Sequence, residues 1–171
     1  MENNAPQQPT SSTTLSERVR NRLADHALAH DEGAIRIVTA VAQNWPELTY
    51  VGIRELALGD DGLIRCALWS ASKCCAALLG TRRVTLLLPE GDDISEIRCL
   101  VLANASLATT RPLSGFLLKP VELLNGYASS SVRGFRDARC ALERTQNSEG
   151  ESRRALFDAF PVNNDGENAP P

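Results

Sequence analysis

Ser70, Ser72 and Lys73 stand together in the stretch Trp69-Ser-Ala-Ser-Lys73-Cys-Cys-Ala-Ala-Leu78, where a strand-like run gives way to a helix-like one. Free N–H groups in a helix's first turn, serine hydroxyls and one ammonium group can converge on a phosphate. A serine N-cap followed by a solvated lysine has the same pattern, and spacing alone does not choose between the two.

Other residue types offer less. His26 and His30 are four apart on a helical segment and share a face, a spacing that zinc can use. However, Ala27 stands where a helical protease motif needs Glu, and no third ligand is identifiable, so a surface helix is the plainer reading. The cysteines, Cys66, Cys74, Cys75, Cys99 and Cys140, lack any C-x-x-C spacing. Cys66 and Cys99 read as small core residues within strands, and Cys74 and Cys75 begin a helix, where a dipole can lower a thiol pKa but an apolar helix face explains them as well. Neither a glycine-rich phosphate loop nor a Gly-x-Ser-x-Gly elbow is present.

The elements that must hold these residues follow from periodicity. Met1–Ser12 is polar, and residues 1–13 read as a flexible tail. Thr14-Leu-Ser-Glu17 fits a capping box, and Val19, Leu23, Ala27 and Leu28 continue a helix that should stop before Gly33. The period then changes to two: Ile35 to Val41, Thr49 to Leu58 and Leu63 to Trp69 read as strands, with turn chemistry at Gln43–Pro46 and Gly59–Gly62. A two-turn helix over Ser72–Leu79, ended by Gly80, precedes strands at Val84–Leu88, Ile97–Ala105 and Phe116–Leu124. Pro120 inside the last strand implies an edge position or a bulge. Six short strands with so few helices suit a small β-barrel, not a parallel α/β sheet. Residues 14–144 form the expected domain, and residues 145–171 a polar tail relieved by the amphipathic piece Ala155–Phe160.

Composition narrows the partners. The chain has 171 residues, 43% hydrophobic and 23% charged, which suits one domain with tails. A net charge of −3 and a pI near 5.4 argue against nucleic-acid binding. No basic-then-apolar leader opens the sequence and no run approaches a membrane span, while an odd number of cysteines suits reduced thiols; a cytoplasmic protein is expected.

The order Arg54-Glu-Leu-Ala-Leu58, Gly62–Trp69, Ser70-Ala-Ser-Lys73 and Val84–Leu88 resembles the FMN-binding split barrels, the group that includes the pyridoxamine 5'-phosphate oxidases. The likeness spans about Ile35 to Cys140. It implies a mainly β, six-stranded antiparallel split barrel with an N-terminal helix and a short helix after the third strand. It also implies a homodimer that holds FMN between subunits and oxidises or reduces a small-molecule substrate. By this resemblance Arg54 and Lys73 contact the FMN phosphate and ribityl chain, with hydroxyls from Ser70 or Ser72 and from Thr85 in support. Arg82 and Arg83 lie near the same strand start and read as surface charge, and Trp69 as a strand-end core residue whose ring can also stack on an isoalloxazine. The match departs at Ala71, where the family usually has serine, and no catalytic acid or base can be named. A binding or assembly protein without flavin, or a haem- or deazaflavin-binding relative, are the alternatives.

Overall fold

The computed structural model describes residues 10–12, 14–24, 35–40, 45–90, 93–125 and 149–162. His26, His30 and Cys140 lie outside the described residues, as does the second half of the expected first helix. Among the described residues eight strands form one antiparallel sheet: β1 (Thr10–Ser12), β2 (Ile35–Thr39), β3 (Glu47–Val51), β4 (Leu56–Leu58), β5 (Ile64–Trp69), β6 (Arg83–Glu90), β7 (Asp93–Ser106) and β8 (Leu113–Asn125). Three α-helices accompany them among the described residues, α1 (Glu17–Ala24), α2 (Lys73–Thr81) and α3 (Glu149–Ala159).

The sheet runs β3-β2-β6-β7-β8-β5-β4, with β1 added to β8. It curls, because Val51 on β3 and Leu56 on β4, from its two opposite ends, lie in one buried cluster with Ile37, Leu86, Ile97 and Phe116. Period-two alternation sets this up. On β5, Ile64, Cys66 and Leu68 point into the core while Arg65 and Ala67 point outward.

Among the described residues the strand count is eight where the sequence suggests six, and the physical reasons are local. The run Thr49–Leu58 breaks because Gly52 N–H donates to Glu55 Oε2 at 2.6 Å and Glu55 N–H to Gly52 O at 3.1 Å, closing a 3₁₀ turn over Ile53–Glu55. Thr10–Ser12, within the segment read as a tail, pair with Leu123–Asn125 of β8. Pro120 marks a bulge within a central strand: Arg98 pairs with Glu122 but Cys99 with Pro120, leaving Val121 as the extra residue. A second bulge leaves Leu102 unpaired between Val101 and Ala103.

Helix α2 does not stop at Gly80. It continues to Thr81 and ends on Arg82, a non-glycine residue in the left-handed region at φ 53°. The bulge of β7 explains this: the Arg82 guanidinium donates to Val101 O (2.9 Å) and Leu102 O (2.7 Å), and Val101 N–H donates to Arg82 O. Carbonyls freed by the bulge thus hold the helix end from outside.

The outer face of β5 and β8 is covered by α3, whose Ala155 and Leu156, with the following Phe160, pack on Ala67, Leu107 and Leu113. Gly115 permits the close approach, since a Cβ there would lie 2.6 Å from Leu107 Cδ2 and 2.9 Å from Phe160 Cε2. Arg65, fully buried, joins the helix to the sheet. Its Nε donates to Phe160 O at 2.8 Å, Nη1 and Nη2 reach Asp61 Oδ1 and Oδ2 at 3.1 and 2.8 Å, and the Phe157 ring lies 5.0 Å away. Burial works to raise the Asp61 pKa, but the hydrogen bonds from Arg65 and Leu63 N–H outweigh it and hold the carboxyl below its ordinary value.

A lowered carboxyl pKa contributes stability above its unfolded value and loses it as pH falls through the folded one. Asp61→Asn should therefore cost about 3 kcal/mol at pH 7 by leaving a buried cation without its counter-ion. In urea unfolding the gap between wild type and variant should narrow below about pH 4. A gap unchanged between neutral and acid pH would show that the ion pair is not its source.

Candidate functional site

Trp69 ends β5, Ser70 and Ala71 form the turn, and Ser72 caps α2. The cap is made by Ser72 Oγ accepting from Cys75 N–H at 3.0 Å, and Ala76 N–H donates to Ser72 O at 3.2 Å. Lys73 and Cys74 then present the first-turn N–H groups that no carbonyl of the helix can satisfy. Lys73 is exposed and joins no ion pair among the described residues. The Ser70 and Ser114 hydroxyls share a hydrogen bond of 2.8 Å, and Ser70 N–H donates to Pro112 O, so the turn is tied to the start of β8.

These contacts leave donors to spare. Ser72 Oγ acts as an acceptor in its cap, so its O–H still points elsewhere, and one hydroxyl of the Ser70–Ser114 pair likewise keeps a proton to give. Two backbone N–H groups, hydroxyl protons and an exposed ammonium fit a phosphate dianion.

Thr85 sits half-buried on the outward side of β6, opposite Val38 of β2 and Arg98 of β7. The same end of β2 meets α2, where the Thr39 hydroxyl donates to Cys74 Sγ at 4.0 Å. Register therefore brings Thr85 to the end of the sheet where α2 begins, although Thr39 faces the core and Thr85 faces away. Arg54 falls in the 3₁₀ turn between β3 and β4, not on a strand as the sequence suggests.

The thiols of the described residues take no part. Cys66, Cys74, Cys75 and Cys99 are free and buried. Burial outweighs any helix-terminus effect at Cys74, pushing its pKa up to about 11, and raises Cys99 to about 12. Trp69 is 52% exposed, so it is no core residue; it lies on the outward side of β5, across from Leu113. Among the described residues no group of three or more His, Cys, Asp or Glu can hold a metal ion, and no helix is long and apolar enough to cross a membrane.

No family model matches the chain, and no curated protein matches its sequence. Solved structures do resemble it. A pyridoxamine 5'-phosphate oxidase-like protein of Lactobacillus delbrueckii aligns over 68% of this chain and 98% of its own, with a TM-score of 0.54 at 11% identity. The chain has the split-barrel fold. An FMN-binding protein from Syntrophomonas wolfei is also similar, at 19% identity over 64% of this chain and 84% of that one with a TM-score of 0.49. A flavin reductase, PheA2, aligns over 58% and 86% at 9% identity, with a TM-score of 0.45. Of the split barrel's expected residues, Ser70, Ser72 and Lys73 are together, Thr85 lies near their end of the sheet, and Arg54 occupies the turn.

The cap is separable from any ligand role. Ser72→Ala should lower stability by about 1 kcal/mol, or roughly 2–4 °C in a thermal melt, through loss of the Cys75 N–H partner. Ser70→Ala should stay within about 0.5 kcal/mol, because its bond to Ser114 is exposed. Equal losses in the two variants would reject the assigned cap.

Proposed function

We propose that the barrel binds FMN with its phosphate at the β5–α2 junction and acts as a flavin-dependent oxidoreductase on a small molecule. The observation that carries this reading is the exposed Lys73 beside two unsatisfied helix N–H groups and hydroxyls with protons to donate. Likeness in fold to a pyridoxamine 5'-phosphate oxidase-like protein supports it. Lys73 would neutralise the phosphate, Ser70 and Ser72 would donate to it, and Thr85 would bond the ligand where it passes β6. Arg54 would supply a second cation. The flavin itself carries the redox chemistry, and the protein's part is to hold and orient it.

Its partner in this reading is a second copy. The outer face beyond α3 carries exposed Leu48 and Tyr50 on β3, and Val38 stands opposite Leu48 and opposite Thr85. A homodimer formed over β2 and β3 would bury these residues and bring the second subunit to the flavin. Strand β7 exposes Leu100 and Leu102, but Arg83 and Lys119 opposite Leu100 make it a poorer self-contact than β3. The free, buried thiols of Cys66, Cys74, Cys75 and Cys99 support a reducing compartment, the cytoplasm in this reading.

A second reading, a binding or assembly protein without flavin, draws on the same turn, because the Ser72 cap and the Ser70–Ser114 bond hold the turn together without any ligand. Fluorescence titration separates the two. FMN should bind, and Lys73→Ala should weaken it about tenfold to a hundredfold, the worth of a charged hydrogen bond. Riboflavin, lacking the phosphate, should bind wild type more weakly and respond little to the substitution. Failure of wild type to bind FMN would favour the second reading.

For the dimer, sedimentation at micromolar concentration should give twice the 18.5 kDa chain mass, and Tyr50→Glu should return it to the monomer value. A monomeric wild type would remove the shared site.

A further inference from the structure

Outside that site, one row of the sheet concentrates positive charge in an acidic protein. Arg83 on β6 stands opposite Leu100 on β7, and Leu100 opposite Lys119 on β8. Residues directly opposite share a face, and here it is the outward one, because Val84, Cys99 and Leu118 beside them are in the core. Arg83 and Lys119 are both exposed, and neither joins an ion pair among the described residues. Their Cα atoms are separated by two strand spacings, about 10 Å, so both long side chains can close on one group above Leu100.

The two bulges complete the patch. Leu102 and Val121, their extra residues, are exposed apolar side chains on either side of the row, 45% and 37% accessible, and Leu100 between the cations is 39% accessible. Arg82 adds a third positive charge, fixed in place by Val101 O and Leu102 O. In the next row the Arg98 guanidinium is already met by Glu96 at 2.7 Å and Glu122 at 2.8 Å, so its charge is taken up within the sheet.

We propose that the Arg83–Leu100–Lys119 row is a binding site for the diphosphate group of a nucleotide. Two unpaired cations held apart by strand geometry match a diphosphate better than a single phosphate, and Arg guanidinium offers a bidentate fork to its oxygens. The exposed Leu100, Leu102 and Val121 supply apolar surface for the nucleoside, which inorganic pyrophosphate lacks. A protein with a net charge of −3 gains no general attraction for anions, so affinity must come from the row itself. The site is separate from the β5–α2 junction and stands whether or not flavin binds there.

Calorimetric titration with phosphate, pyrophosphate and ADP tests it. Wild type should bind pyrophosphate more tightly than phosphate, and ADP more tightly than pyrophosphate. Arg83→Gln and Lys119→Gln should each weaken ADP about tenfold or more, whereas Arg18→Gln on α1, an exposed change of the same charge, should alter it less than about twofold. Lys73→Ala should leave ADP binding unchanged while weakening FMN, so failure of the flavin reading and failure of this one give different patterns. Thermal melts of the two exposed-site variants should match wild type. No binding of pyrophosphate or ADP, binding that survives both Gln substitutions, or binding lost with Lys73→Ala would overturn the proposal, and ADP no tighter than pyrophosphate would overturn its assignment to a nucleotide.

Discussion

A fully buried guanidinium on a strand's outer face has to be satisfied on every side, and Arg65 sets the terms for everything around it. An isolated cation out of water is costly, so its neighbours must supply both charge and oxygen. Asp61 supplies the charge from the turn between β4 and β5, Leu63 O supplies an acceptor two residues from Arg65, and Phe160 O supplies one from far along the chain. The bond to Phe160 spans 95 positions of sequence. It joins the far end of α3, where helix carbonyls run out of internal partners, to the one strand that also delivers Ser70 to its turn. A packing decision behind β5 and a chemical one at its tip are therefore made by the same six residues.

The tip gains rigidity from this arrangement. Strand β5 is clamped between β4 and β8, its outward side is sealed by α3, and Trp69 lies across from Leu113 just before the turn. Ser70 is then held twice, by its N–H on Pro112 O and by its hydroxyl on Ser114. A loop fixed at both ends can offer donors in a set direction with little reorganisation, which is what anion recognition asks of it. Helix α2 is fixed at its other end by contacts to β7, so the whole strand–helix–strand unit leaves few soft joints.

Local chemistry was readable from the chain, and distant chemistry was not. Ser72 before Lys73-Cys-Cys-Ala-Ala-Leu announces a capped helix because the cap and its N–H partner are three residues apart. Pro120 announces a bulge because the missing N–H is its own. By contrast, Gly80 reads as a helix end, yet the helix passes through it and stops at Arg82, whose restraints come from carbonyls 19 and 20 residues away. Thr49–Leu58 alternates like one strand, and only the Glu55 carboxylate folding back to Gly52 shows the break. Trp69 looks like core by size and strand position, but β5 turns its odd-numbered residues outward and α3 does not reach far enough to cover the ring. The positive row over β7 was hidden for the same reason: Arg83 and Lys119 become neighbours only through register.

Gly115 turns the packing of α3 into something that can be read in other sequences. The space a side chain would take there is already filled by Leu107, Leu156 and Phe160. Any chain of this architecture with a larger residue at that strand position has no room for a helix seated as this one is. Glycine opposite a small residue such as Ala67, followed far downstream by a Leu-x-x-x-Phe spacing, is thus a signature for barrels that wear their C-terminal helix on the outside. Within a set of divergent split barrels, those two small residues would sort the helmeted members from the bare ones before any coordinates were known.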